Sequence, residues 1–306
     1  MSEIREIARG LEFPEGPVAM PDGSVVLVEI ARGTLSRVTP EGGIHVIAKL
    51  GGGPNGAAVG PDGAVYVCNN GGFRWHELDG MRFPGRQADD YSGGRIERVD
   101  PKTGAFEVLY TEVDGRPLKG PNDLVFDRQG GFWFTDHGKI RKRDKDHGGV
   151  YYASSDGSSI REVIFPLDAP NGIGLSPDEG TLYVAETMTR RVWAYEIVAP
   201  GEIKRVRKFG GPGTLVAGLP GNQMLDSLGM DAEGNVCVAT LMRGGITSVT
   251  PGSGETRFFE TGDPMTTNIC FGGEDLRTAY ITLSATGRLV AMDWPVAGLP
   301  LNFLNR

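Results

Sequence analysis

The sequence predicts an all-β protein: one six-bladed β-propeller of four-stranded antiparallel blades, occupying residues 1–306 as a single domain. Three observations lead there. The apolar runs are short (SVVLVEI, AVYVCNN, GFWFTD, TLYVAE, NVCVAT, TAYITL), and each is bounded by Gly, Pro, Asp or Asn, as strands are. No stretch of about 12 residues carries convincing 3.6-residue periodicity, in a chain with 47 glycines and 20 prolines. Most telling, one pattern recurs six times: a polar residue, a few small or apolar residues, a turn, then an apolar strand.

The six copies start at Pro14, Pro54, Pro121, Pro170, Leu225 and Thr266. They read PEGPVAMPDGSVVLVE, PNGAAVGPDGAVYVCN, PNDLVFDRQGGFWFTD, PNGIGLSPDEGTLYVAE, LDSLGMDAEGNVCVAT and TTNICFGGEDLRTAYITL. Starts lie 40 to 67 residues apart, the period of a four-stranded blade with insertions. PDG and AEG steps supply the positive-φ residue of a tight hairpin. Between the copies, TLSRVTP, GRIERVDP, GVYYAS, RVWAYEI, GITSVTP and GRLVAMDW read as third strands, and ARGTLSRVTPEGGIHVIA shows a third and fourth strand as a pair. The long insertion at 70–92 is too aromatic for a disordered linker and reads as an ordered loop over one face.

In a propeller the first strand of each blade lines the central channel, so its opening residue faces the channel mouth. That position reads Glu15, Asn55, Asn122, Asn171, Asp226 and Thr267, all with side-chain oxygen. A lone Asn or Asp before a strand ordinarily makes a local turn; six oxygen side chains brought to one axis suit a hard divalent cation. Ca²⁺ takes carboxylate, amide and water oxygens, and Glu15 with Asp226 balances its charge. Unneutralised, the two carboxylates would repel and raise one another's pKa. Ca²⁺ is therefore the first expectation, with Zn²⁺, Mg²⁺, Mn²⁺ and Fe²⁺ as alternatives; the lack of His or Cys in the ring lowers the case for structural zinc.

The ordered set LEFPEGP, GPNDLVFD, APNGIGLSPD and LDSLGMDAEGNVCVAT resembles the gluconolactonase and senescence-marker-protein (regucalcin-like) family of six-bladed propellers over nearly the whole chain. GRLVAMDWPVAGLPL resembles that family's terminal strand. The resemblance implies hydrolysis of a lactone, or of an organophosphate as in the related diisopropylfluorophosphatase. It implies that Glu15, Asn171 and Asp226 hold the cation, and that Asn122 completes its sphere or contacts substrate and water. Asn55 and Thr267 then line the pocket. One departure is marked: many sugar lactonases of the family have Arg two residues before the Asn matching Asn122, and here that residue is Gly120.

Catalysis would be ester-type hydrolysis aided by the metal ion, with Asp226 as base or nucleophile and Glu15 second for the role. Arg74 and Trp75, beside His76, are candidates for a substrate-binding lid, and His137 for a substrate contact or an acid–base group. A non-catalytic calcium-binding propeller is the competing reading. No GxSxG elbow or phosphate loop is present. The net charge of −8 and pI near 5.2 argue against nucleic acid. The basic run KIRKRDK (139–145) reads as a solvated loop. Cys68, Cys237 and Cys270 form no CxxC and suggest reduced, buried thiols. With no apolar leader and no membrane-length apolar run, the expectation is a cytoplasmic protein acting on a small molecule, without membrane or nucleic-acid partners. The sequence leaves the oligomeric state open.

Overall fold

In a computed structural model describing residues 3–204 and 213–305, the chain forms a six-bladed β-propeller of antiparallel blades. Blade 1 runs through Pro14–Ala19, Val25–Glu29, Thr34–Val38 and Ile44–Lys49, from the channel outward. Blade 2 uses Pro54–Val59, Val65–Asn69, Arg95–Val99 and Phe106–Tyr110, and blade 3 uses Pro121–Phe126, Gly131–Asp136, Gly148–Ser154 and Ile160–Leu167. Pro170–Leu175, Thr181–Glu186, Arg191–Ala199 and Thr214–Gly218 make blade 4, and Met224–Met230 through Thr256–Glu260 make blade 5.

Blade 6 closes the ring in a way the sequence reading missed. Arg288–Asp293 is its third strand, as GRLVAMDW reads; the outermost, which that reading did not supply, is Arg5–Arg9 from the N-terminal end, paired Arg5 to Ala291. Both ends of the chain thus share one sheet, and no blade is left with an unzipped neighbour.

The apolar core sits between blades. Tyr66, Phe126, Phe132 and Phe134 pack blades 2 and 3 together; Val26, Val28, Val59 and Val67 join blades 1 and 2; Leu27, Val38 and Leu289 join blades 6 and 1. Cys68, Cys237 and Cys270 are buried free thiols; Cys68 lies in the layer between blades 2 and 3. No helix among the described residues is long and apolar enough to cross a membrane.

Two local devices aim side chains at the axis. First, the register skips at the start of the innermost strand in every blade, between Glu15 and Val18, Pro54 and Ala57, Pro121 and Leu124, Pro170 and Ile173, Leu225 and Leu228, and Thr266 and Asn268. Such bulges turn a side chain out of its sheet position. Second, the strands approach closely because the next residue is Gly16, Gly56 or Gly172 in three blades. A Cβ at Gly56 would stand 2.5 Å from the Asn122 carbonyl oxygen, and one at Gly172 would stand 2.6 Å from Leu228 N.

The end of the second strand explains another sequence regularity. Glu29, Asn69, Asp136 and Glu186 end these strands in blades 1 to 4 and are all buried. Their side-chain oxygens accept backbone N–H groups of the loop entering the same blade: Glu12 N, Gly53 N, Gly120 N and Asp168 N, at 2.7–2.9 Å. Charge-assisted bonds of this kind pin the loop from which each axial residue emerges.

Candidate active site

Glu15, Asn55, Asn122, Asn171 and Asp226 stand near the start of their inner strands. Glu15, Asn122 and Asn171 are buried, as is Asn55 at the equivalent position of blade 2. Asp226 interacts with the Asn171 amide, and its charge acts on Glu15, so residues from blades 1, 4 and 5 meet at the axis. Asn171 Nδ2 donates to Thr187 Oγ1 at 3.2 Å, and its Oδ1 accepts from Ser227 Oγ at 3.3 Å.

Two buried oxygens in this cluster have no hydrogen-bond partner: Glu15 Oε1 and Asn122 Oδ1. Buried polar atoms are rarely left unpaired; the amide oxygen can only accept, as can the carboxylate oxygen while it is ionised. An electropositive partner fits them. Among the described residues no group of three His, Cys, Asp or Glu converges closely enough to hold a metal ion. A cation here would therefore depend on amide oxygens as well as carboxylates, which suits a hard ion rather than zinc.

Three polar side chains absent from the nominated set complete the cluster. The position after each axial residue, glycine in blades 1, 2 and 4, is Asp123, Ser227 and Asn268 in blades 3, 5 and 6. Asn268 Nδ2 donates to Glu15 Oε2 at 2.7 Å. Asp123 interacts with the Ser227 hydroxyl, and its charge reaches both Glu15 and Asp226. Burial pushes Asp123 up to about 7. Asp226 also rises to about 7, from burial first and Asp123 second. Glu15 is held well above the usual carboxylate range, by burial and then by Asp226. The sequence signal was the exchange of Gly for a polar residue in PND, LDS and TTN.

Thr267 does not join this group. Its hydroxyl is engaged with Thr282 Oγ1 at 2.9 Å, Ser284 Oγ at 2.6 Å and the Pro14 carbonyl at 3.4 Å. Blades 2 to 5 pass over two residues at the bulge, whereas blade 6 passes over one. That difference turns the sixth blade by one residue, and Asn268 reaches the axis instead.

The 70–92 insertion is an ordered hairpin, Phe73–Leu78 paired with Met81–Gln87. It leaves blade 2 and crosses to blades 1, 5 and 6. Trp75 packs on Phe13 with ring centroids 5.0 Å apart, in a cluster with Ile30, Leu241, Met265 and Ala285. Arg82 N donates to the Ala285 carbonyl, and Gln87 N ties the far strand to Ile140 O of blade 3. Arg74, on the opposite side of its strand, is exposed and paired with Asp89 at 2.7 Å, away from this apolar face.

Lys139 corrects the reading of KIRKRDK as a solvated loop. It is 2 % exposed, donating from Nζ to Asn70 Oδ1 and to the Gly72 carbonyl, both at 2.8 Å, with the Phe73 ring 4.0 Å away. Burial lowers it to about 7. His137 is pushed down to about 4, by burial and then by Lys139. At neutral pH its imidazole is uncharged, so it is not the imidazolium that would serve as a general acid. Gly120 is also explained: a Cβ there would lie 2.7 Å from the Gly138 carbonyl oxygen, so the arginine found in similar sugar lactonases has no room in this loop.

Beneath the cluster the channel turns apolar. A cavity of about 120 Å³ runs from Asp123 and Asn268 past Leu124, Ile173, Leu228 and Phe271 to Leu301 and Leu304, which close the opposite end. Ser176, Glu179 and Asn302 also line this cavity, near Leu301.

Known proteins share this architecture. A gluconolactonase structure from Xanthomonas campestris superposes with a TM-score of 0.75 over 96% of this chain and 90% of that one, at 23% identity. A calcium-binding regucalcin from Agrobacterium tumefaciens gives 0.75 over 100% and 98%, at 19% identity. In sequence, the gluconolactonase of Zymomonas mobilis is 29% identical over 92% of this chain and 79% of its own. A drp35 lactonase of Staphylococcus saprophyticus is 30% identical over 77% and 65%. The family profile described as SMP-30/gluconolactonase/LRE-like region matches residues 13–285, and the chain belongs to that family.

Proposed function

We propose that the protein is a hydrolase that opens a lactone at the channel mouth with the help of one bound divalent cation. The observation that carries this reading is the pair of unpartnered oxygens, Glu15 Oε1 and Asn122 Oδ1, beside Asp226 and Asn171, in a family whose named relatives include lactonases. Glu15, Asn122, Asn171 and Asp226 are the residues that would hold the ion. When bound, the cation, Ca²⁺ foremost, would polarise the ester carbonyl and offset the charge of the developing oxyanion.

The chain's own residues then divide the work. Asp226 is the carboxylate we assign to receive the proton of the attacking water or to attack directly, with Glu15 second. Asn268 fixes the rotamer of Glu15. Ser227 and Thr187 fix the amide of Asn171. The hairpin bearing Trp75 covers one side of the mouth and limits water there. Since Gly120 leaves no room for an arginine, the substrate need not be a sugar acid.

The test is a panel of γ- and δ-lactones with an aryl phosphotriester, run on chelated protein and after adding back Ca²⁺, Zn²⁺, Mg²⁺ or Mn²⁺. Lactone opening that chelation abolishes and a metal restores is the expected result. Turnover of the phosphotriester alone would move the assignment to organophosphates, and bound cation without any turnover would leave a calcium-binding propeller.

A further inference from the structure

Five blades make the same backbone bond just beyond the second strand. Ile30, Asn70, His137, Thr187 and Ser284 each donate N–H to the carbonyl just before the first strand of the same blade: Phe13, Gly53, Gly120, Ala169 and Met265. These residues are therefore equivalent, and they form a second tier above the axial ring. Two of them show where the tier points. Thr187 Oγ1 accepts from Asn171 Nδ2, and Ser284 Oγ meets Thr267 Oγ1 at 2.6 Å. Thr187 thus reaches the axial residue of its blade, and Ser284 the residue that precedes Asn268 in its own.

Asn70 occupies this tier in blade 2, is 2 % exposed, and has an unpartnered Nδ2. Its amide cannot turn over to relieve that. Oδ1 accepts from Lys139 Nζ at 2.8 Å and from Gly72 N at 2.9 Å, and a flip would set the amide hydrogens against both donors. Lys139 is itself buried, engaged with Asn70 Oδ1 and the Gly72 carbonyl. A buried lysine is costly, and here it fixes which end of the Asn70 amide carries the free donor. The arrangement is the reverse of Asn122, whose unpartnered atom is an acceptor. One orphan suits a cation; the other suits an electron-rich oxygen.

We propose that Asn70 is a substrate-binding residue, its Nδ2 donating a hydrogen bond to an oxygen of the bound lactone while Lys139 positions the amide. This inference rests on the lactonase reading and adds a neutral donor in a chain where residue 120 is Gly and supplies no side-chain donor. It also bears on substrate class. A primary amide recognises an ester oxygen without needing a carboxylate or phosphate on the substrate, so uncharged lactones are the expected ligands.

The experiment compares wild type with Asn70→Asp and Asn70→Ser, Ca²⁺-loaded, on γ-butyrolactone and δ-valerolactone. Asp keeps the acceptor for Lys139 and Gly72 but removes both donors; Ser keeps one donor. The Asp variant should lose about 10²-fold in kcat/KM, the scale for one donor to a reacting oxygen, and the Ser variant less. Calcium affinity and unfolding temperature should match wild type in both. Equal turnover in all three proteins would overturn the inference while leaving the lactonase reading intact. A loss that tracks weaker calcium binding or a lower unfolding temperature would make Asn70 structural and overturn it too. If wild type opens no lactone under any metal, both readings fall together.

Discussion

Asn268 of the sixth blade donates from Nδ2 to Glu15 Oε2 of the first at 2.7 Å, which leaves Glu15 Oε1 as the unpartnered oxygen of that carboxylate. The bond joins the innermost strands of the sixth and first blades, where the ring closes. In the proposed site it would orient a cation ligand without being one, and groups in that position usually set metal affinity. Asn268→Leu should weaken calcium binding by about 10-fold or more, read by calorimetric titration, with the propeller still folded by circular dichroism. Unchanged affinity would show that Glu15 is held without Asn268.

The carboxylates at the mouth set a pH dependence whose sign can be worked out. Asp123 and Asp226 rise from 3.8 to about 7 on folding, and Glu15 rises from 4.5. The metal-free native state then binds more protons than the unfolded chain between about pH 4 and 7, so these groups lower stability as pH rises through that window. His137, lowered from 6.5 to about 4, acts oppositely between those values, and Lys139, lowered from 10.5 to about 7, acts oppositely above 7. Near pH 6.5–7 only the carboxylate effect remains. Calcium should raise the unfolding temperature more at pH 7.5 than at pH 5, and Asp123→Asn should flatten the metal-free profile. Scanning calorimetry across pH checks both; a calcium stabilisation independent of pH would contradict the carboxylate assignment.

Gly172 has no room for a side chain, with Leu228 N 2.6 Å and Asp226 O 2.8 Å from where a Cβ would sit. Gly172→Ala should cost about 1–3 kcal/mol, as overpacking does, and should displace Asp226 enough to weaken calcium binding. Gly221→Ala is the comparison: its φ of +78° carries strain, but nothing lies within 4 Å. It should cost about 1 kcal/mol and leave calcium binding alone. Urea unfolding and calorimetry separate the two effects.

The hairpin over the mouth is anchored by Trp75 on Phe13. Trp75→Ala removes that aromatic pair, worth about 0.5–1.5 kcal/mol beyond its burial. Faster cleavage by a broad-specificity protease is expected at the Asp79–Gly80 turn, where both residues have positive φ. The blades should stay intact. Cleavage at the wild-type rate would mean that Arg82 and Gln87 hold the hairpin without Trp75.

How much of this was legible in the sequence depends on how far apart the interacting parts are. Blade count, inner strands and the residues Glu15, Asn122, Asn171 and Asp226 follow from one repeated local pattern, because each blade builds its own inner strand. Thr267 and Asn268 illustrate the limit: a bulge one residue shorter exchanges them, and bulges leave little trace in hydrophobic alternation. Lys139 was misread because its partners, Asn70, Gly72 and Phe73, come from another blade. Arg5–Arg9 was passed over as a strand because its pairing partner lies at the far end of the chain.

The most direct test of the central claim is calorimetric titration of calcium into chelated wild type, Glu15→Gln and Asp226→Asn, with lactone turnover measured on the same samples. The account predicts a calcium site at the mouth in wild type, sharply weaker binding in both variants, and turnover that rises with site occupancy. Full lactone turnover in Asp226→Asn without calcium binding would contradict it.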